Sequence, residues 1–311
     1  NISSSGTGVS LSGGGASSTN NILGKANAYI ENSTVTVAGN LSLSAANDST
    51  IDADVVAVAI AVGIGKSFGV GLSIGASIAQ NFIGWILEET ETALEVMAYI
   101  KDSSITTTGT HTQTAISRQK VDAFVGAGAI SVAKPKNGPG LAGAGSGVNA
   151  KNKILVAVQS YIDGDGANGI SAASITLDAK DSSRISAVAG AASIAFSHAD
   201  SISANLSIGV TLAHNEISNE VKAYIENANN IETTNGQINI TATSWGTPTG
   251  STPTMNLPTG LTIADLDQAG KGDGGDYSDT LDKLQRALTA QLDLESDQSD
   301  RRIWQDAVLN S

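Results

Sequence analysis

Four of the chain's five tyrosines stand in one recurring triplet, and no other feature of the sequence restricts the fold as much. The triplet is AYI at Ala28–Ile30, Ala98–Ile100 and Ala223–Ile225, and SYI at Ser160–Ile162. Tyr29, Tyr99, Tyr161 and Tyr224 are therefore separated by 70, 62 and 63 residues. Asn20, Asn152 and Asn215 each precede their tyrosine by nine positions, with Ile22, Ile154 and Ile217 two residues after the asparagine. Asn81 and Ile83 fill the same places in the remaining module, but Tyr99 lies 18 residues beyond Asn81. The surplus of nine marks an insertion around Gly84–Thr92. Upstream of the asparagine, LSIGASIAQN at 72–81 matches LSIGVTLAHN at 206–215 closely, with looser counterparts at 11–20 and 141–152. Self-similarity at a fixed period is the mark of a repeat architecture, in which each unit buries its apolar surface against its neighbours.

Within a module the apolar period is two, the signature of strands. Val56, Val58, Ile60 and Val62 alternate with Ala57, Ala59, Ala61 and Gly63, and Leu206, Ile208, Val210 and Leu212 alternate with Ser207, Gly209 and Thr211. Shorter runs at 34–37, 41–45 and 238–243 are punctuated by Gly, Asn and Asp at turn positions. Such spacing leaves no room for crossover helices, so residues 1–245 read as all-β. Modules of about 63 residues, starting near 28, 98, 160 and 223, divide into three segments of about 21, the size of one turn of a parallel β-solenoid (β-helix). Residues 28–48, 49–69 and 70–90 are then successive turns about 4.8 Å apart, each burying a small aliphatic stack. A competing all-β arrangement pairs 55–65 with 68–79 as a long antiparallel hairpin with its tip at Lys66–Ser67. The Ala/Gly/Ser side of these strands fits either a narrow corner that admits only small side chains or a flat outer surface through which rods associate laterally.

Composition narrows the function classes. Thirty Asp and Glu against 17 Lys and Arg give a formal net charge of −13 over 311 residues. Nucleic acid is not an expected partner, because it is held by clustered Lys and Arg that displace counterions. The chain has no cysteine, hence no disulfide, thiolate metal site or Cys nucleophile. His111, His198 and His214 match no metal-ligand spacing. Aromatic residues make up only 4% of the chain and glycine takes 34 positions, so a single thick core is not expected. Residues 67–87 are uncharged over about the 20 residues a membrane helix needs. Gly69, Gly71, Gly75, Ser73, Ser77, Gln80 and Asn81 dilute that window, and no transmembrane segment is expected. Glycoside cleavage needs two carboxylates about 5–10 Å apart across a groove. Glu88, Glu89, Glu91 and Glu95 cluster in the insertion, where a charged, solvated loop is the better account of them. Trp85, Trp245 and Trp304 are isolated in sequence and predict no aromatic platform for a glycan.

Composition shifts after Trp245. Residues 246–260 carry Pro248, Pro253 and Pro258 and read as an extended linker. Residues 261–311 hold 11 acidic and five basic residues. Ser278 can cap a helix with Asp279 and Asp282 in its first turn, and Leu281, Leu284, Leu288 and Leu292 follow at helical spacing. The pattern predicts a short C-terminal helix over 279–294, packed on the rod or joining it to a neighbouring unit. Asp265, Asp267, Asp273, Asp276 and Asp279 crowd a glycine-rich stretch, and Ca²⁺ takes several hard oxygen ligands from a flexible loop. Their spacing matches neither the EF-hand nor the Gly-Gly-x-Gly-x-Asp repeat, so a solvated acidic loop competes with a calcium site. Asp163 and Asp165 in DGDGANG form a smaller version of the same pattern.

The run AYIENSTVTVAGNLSLSAANDSTIDADV, followed by AVAIAVG and GLSIGASIAQNFIG, resembles the repeat regions of very large secreted bacterial surface proteins, the filamentous-haemagglutinin-like and leukotoxin-like adhesins. The resemblance is one of repeat style and covers about residues 9–243. It implies a right-handed β-solenoid, export across a bacterial envelope, an extracellular place at the cell surface, and adhesive or filament-forming use without a catalytic centre. The repeat phase adds that the chain begins in the last third of a module and leaves its final module near Thr243, so a fragment or one unit of a longer polypeptide is expected. The expected role is structural, with self-association through stacking and lateral contacts, and with cell-surface glycans or proteins as further candidate partners. The rival classes are a carbohydrate-binding or polysaccharide-acting β-helix protein and a calcium-dependent binding module.

Overall fold

The computed structural model describes residues 6–86, 90–199 and 201–245. Strands take up 79% of the interpretable part, and no helix occurs in it. Two units divide the chain, residues 1–249 and 250–311, and every described residue belongs to the first. The linker 246–260, the acidic segment 261–311 and the expected helix 279–294 lie outside the described residues.

The strands recur in sets. β1 (Thr7–Ile22) precedes a set of five: β2 (Lys25–Glu31), β3 (Thr34–Val37), β4 (Leu41–Asn47), β5 (Thr50–Gly65) and β6 (Phe68–Ile83). A short antiparallel pair follows, β7 (Trp85–Ile86) and β8 (Thr90–Glu91). The next set is β9 (Leu94–Lys101), β10 (Ser104–Thr107), β11 (Thr110–Ser117), β12 (Lys120–Pro135) and β13 (Gly140–Ile154). The third is β14 (Val156–Asp163), β15 (Ile170–Ala172), β16 (Ser174–Asp181), β17 (Arg184–Ser197) and β18 (Ser203–Ile217). β19 (Glu220–Glu226), β20 (Ile231–Thr233) and β21 (Ile238–Ser244) open a fourth. Equivalent strands of successive sets pair in parallel and make five sheets: β2-β9-β14-β19, β3-β10-β15-β20, β4-β11-β16-β21, β5-β12-β17 and β1-β6-β13-β18.

Paired residues lie 61 to 71 positions apart in sequence, as in Asn20 with Asn81 and Asn81 with Asn152. One layer is therefore one whole module, which corrects the expectation of three stacked turns of about 21 residues. The reason is strand length. β5, β6 and β12 each run 16 residues, so a single passage through five sheets consumes the module. Nor do 55–65 and 68–79 form a hydrogen-bonded hairpin. β5 and β6 meet at Lys66–Ser67 but belong to different sheets, each paired to its own equivalents in the next repeat.

The corner after the tyrosine strand shows why the local sequence folds this way. Asn32, Asp102, Gly164 and Asn227 occupy equivalent places there, all at positive φ (48°, 46°, 80° and 53°). Asn, Asp and Gly are the residues that enter this left-handed region at low cost. The insertion between β6 and β9 raises the repeat offset from 61 at Asn20–Asn81 to 70 at Tyr29–Tyr99. Its hairpin leaves the stack at Gly84, whose N–H still bonds to Ile22 of the neighbouring layer, and returns at Leu94, which bonds to Leu155. The nine extra residues are thus accommodated without breaking the layer pairing.

Two apolar interiors result. Columns of equivalent aliphatics, such as Ile100 and Ile162 or Ile105 and Ile170, fill the space enclosed by the three shorter sheets and the starts of the long strands. A second, thinner cluster of Val55, Ala79, Val125, Ala127, Val148 and Ala150 lies between the two long sheets.

Candidate interaction surface

The structure stacks the four tyrosines in one column on β2, β9, β14 and β19. Ring centroids are 5.1, 4.9 and 5.0 Å apart and the planes are within 7° of parallel. The spacing equals the separation of paired strands, so one tyrosine per layer generates the column without further adjustment. Tyr99 and Tyr161 have both faces covered by neighbours, and the column presents ring edges to solvent. Burial pushes the Tyr161 phenol up to about 12, with the adjacent Tyr224 and Tyr99 adding to the shift. The Tyr99 and Tyr224 phenols are raised for the same first cause.

The four asparagines form a second column where the long strands re-enter the aliphatic interior. The Asn20 Nδ2 donates to Asn81 Oδ1, Asn81 Nδ2 to Asn152 Oδ1 and Asn152 Nδ2 to Asn215 Oδ1, each at 2.8 Å. Asn81 and Asn152 are fully buried, and the chain of amides satisfies groups that burial alone would penalise. Beside it, Lys153 Nζ lies 4.0 Å from the centroid of the buried Trp85 ring and 2.9 Å from Glu216. Lys153, and after it His214, hold the Glu216 carboxyl below its usual range.

The long sheets sort their side chains by size in an unexpected sense. The small residues face inward: Ala59 and Ala61 are 2% and 0% exposed. The large aliphatics face outward, with Ile74 66% and Ile208 53% exposed. This reverses what the sequence pattern predicts, the aliphatics in a buried stack and the small-residue side as a corner or an outer surface. Backbone proximity explains the reversal. A Cβ on Gly63 would fall 2.0 Å from the carbonyl oxygen of Val70, and one on Gly75 would fall 2.3 Å from that of Gly128. The opposed sheets therefore approach well inside the about 10 Å of sheets that interleave large side chains. Serines bridge the gap, with Ser77 Oγ donating to the Gly126 carbonyl at 2.6 Å and Ser193 Oγ to the Ile208 carbonyl at 2.7 Å.

On the outer side of β1-β6-β13-β18 the register sets bulky strands against glycine strands. Leu72, Ile74 and Ile78 on β6 flank Gly143, Gly145 and Asn149 on β13, and Gly145 in turn flanks Ile208 on β18. Gly13 and Gly15 of β1 lie beside Ile74 and Ala76. From the row of Val9 to the row of Leu212 this outer face carries no charged side chain. Polar residues, Thr19, Gln80, Lys151 and His214, close it at one end.

The other sequence candidates fall elsewhere. Asp265, Asp267, Asp273, Asp276 and Asp279 lie outside the described residues, as do Glu88, Glu89 and Trp304. Among the described residues no group of three or more potential metal ligands occurs. Asp163 and Asp165 are turned to the next layer: Asp163 accepts from the Asn227 side chain at 2.7 Å and Asp165 from the Asn229 amide at 2.9 Å. Glu95 pairs with Lys25 at 2.8 Å. Trp245 is exposed at the end of β21, far in sequence from the buried Trp85. A shallow polar depression lined by Asn32, Thr34, Asp102, Ser104 and Gly166 follows the tyrosine corner and contains one carboxylate. Gly71–Gly75 and Gly65–Gly69 have the Gly-x-Ser-x-Gly spacing, yet Ser73 sits buried within β6 rather than on the strand-to-helix turn that exposes such a nucleophile. His111 is fully buried between Leu41 and Ile175, and neither ring nitrogen makes a hydrogen bond. Burial lowers its pKa to about 4, opposed in part by the Gln113 side chain. Among the described residues no helix is long and apolar enough to cross a membrane, and residues 68–83 of the uncharged window form β6. Comparison with protein-family models, with curated proteins and with solved structures finds no match.

Proposed function

We propose that this chain is a structural segment of a large extracellular bacterial filament or surface adhesin, folded as a right-handed parallel β-solenoid and working without a catalytic step. The observation that carries the reading is the repeat-on-repeat register: the tyrosine column, at 4.9 to 5.1 Å, continues unbroken through four layers. Parallel pairing of equivalent strands can be extended by adding modules, because each layer contacts only its neighbours. A load-bearing rod needs nothing more than that. The repeat style, and the resemblance to filamentous-haemagglutinin-like and leukotoxin-like adhesins, supports handedness, export and cell-surface location. The aromatic column favours this reading over a glycan-binding one, since stacked rings leave edges rather than faces for a sugar.

Electron microscopy of the native material tests the reading. Rods or fibres are expected, whereas dispersed globular monomers at all concentrations would overturn it.

A further inference from the structure

We infer that the outer face of β1-β6-β13-β18 is a dimerisation surface that takes a second copy of this chain, ridge into groove. The inference rests on the structural role proposed above and names its lateral partner.

The face has the apolarity and relief that such a contact needs and most of its area. Four strands about 4.8 Å apart, uncharged over about nine residues each, span on the order of 570 Å² in plane, before side-chain relief is added. A standard stable interface takes about 800 Å² of accessible surface from each partner. Contiguous exposed apolar patches of this extent mark interaction sites. Ile74 and Ile208 stand as ridges on β6 and β18, two strands apart, and Gly145 of β13 lies between them.

Gly143 leaves room for the Leu72 side chain, but three other outward glycines have no explanation inside the chain. A Cβ on Gly13, Gly145 or Gly147 would meet no atom within 4 Å, and none of the three has positive φ. Glycine weakens a strand interior, and there it often marks the close approach of another backbone. Facing inward, Gly75 has such a backbone at hand; facing outward, Gly145 has none from its own chain.

Symmetry supplies the occupant. A two-fold axis parallel to the strands and midway between β6 and β13 places β6 over β13 of the second copy and β18 over β1. In the rows of Ile74 and Ala76 each bulky residue then meets a glycine, with Ile74 opposite Gly145 and Ile208 opposite Gly13, whereas Leu206 meets Leu11 and Val70 meets Leu141 towards one end. An axis perpendicular to the strands would set β6 on β6, ridge on ridge. The relief is thus self-complementary at the centre of the face in one isologous arrangement, with apolar contact of Leu206 on Leu11 beside it.

Sedimentation velocity on the full chain across the micromolar range tests this. A dimer is expected, with its dissociation constant raised about tenfold or more by Gly145→Val, which fills the groove, and by Ile74→Ser, which removes the ridge. Gly145→Ala serves in the same way if the valine disturbs the melting transition. A chain that stays monomeric overturns the inference, as does a dimer indifferent to both substitutions. A dimer tightened by Gly145→Val also overturns it, because a merely sticky face gains from added apolar surface. Flotation of monomers on phosphatidylcholine vesicles, abolished by Ile74→Ser, would assign the face to lipid and overturn it too. Fibres without the dimer overturn this inference and leave the structural role standing; a dimer in material that forms no fibres does the reverse.

Discussion

In the space enclosed by the three shorter sheets the interior is Ile, Val and Leu and the exterior is polar. Between the two long sheets the interior is mostly Ala, Gly and Ser, with Val55, Val125 and Val148 as its largest members, and much of the exterior is aliphatic. Both regions are built from strands of the same repeats, paired in the same way. The first gains stability by removing large side chains from water, worth about 1.5–3 kcal/mol for each one fully buried. The second gains less in this way, because apart from Val55, Val125 and Val148 its large side chains point outward. What holds it is the ladder of backbone hydrogen bonds within each sheet, serine bridges across the gap, and close contact between opposed backbones. The comparison teaches that a period of two announces two faces without saying which is the inner one. Size rather than polarity decides it where sheets come close.

The same truncation in the two regions would test the contrast most severely. Ile100→Ala empties part of a fully buried column and is expected to cost about 2–5 kcal/mol in chemical denaturation. Ile74→Ala, on the outer face, is expected to change the monomer by about 0.5 kcal/mol or less. Equal losses at the two sites would break the comparison.

Acid should act on the aliphatic region through His111. The His111 pKa is lowered to about 4 in the fold, against 6.5 when unfolded, so the unfolded chain takes up the proton first as the pH falls. The stability present above pH 6.5 is lost between 6.5 and about 4 and then levels off, an effect on the order of 3 kcal/mol. His111→Leu, which matches Leu41 in the adjoining layer, is expected to flatten that limb of the pH–stability curve.

The glycines separate the faces at smaller cost. Gly75→Ala drives a methyl against the Gly128 carbonyl and is expected to destabilise by about 1–3 kcal/mol. Gly145→Ala, with open space beyond it, is expected to leave the melting temperature of the monomer unchanged or slightly raised. A further effect is expected at high pH. Tyr161, raised to about 12, stays protonated after an unfolded tyrosine would have ionised near 10, so its share of stability is lost as the pH rises between those values. Absorbance titration of the phenolates should show late ionisation that Tyr161→Phe removes.

Much of the architecture was legible before any coordinates. The tyrosine and asparagine positions, the all-β character and the nine-residue insertion all follow from spacing, because a repeat that stacks in register must return the same residue to the same place. The length of a layer was not legible. Glycine and serine inside β6 and β13 resemble turn signals, and they divide 15- and 16-residue strands into pieces that look short. The inward and outward faces of β5 and β6 were not legible either. Burying Ala57 and exposing Val58 contradicts the ordinary hydrophobic rule, and the reason, a carbonyl of the opposite sheet, lies in a different segment of chain. The lone buried His111 shows no pattern of its own; only the register with Leu41 and Ile175 reveals where it sits.

The amide column has a handedness of purpose that the tyrosine rings lack. Every link passes its N–H from the earlier module to the later one, so the small dipoles add along the stack instead of cancelling. A module inserted upside down would set amino group against amino group at one junction and oxygen against oxygen at the next. Such a column is therefore vectorial: its two ends are chemically different, and only one orientation of a further module would continue it.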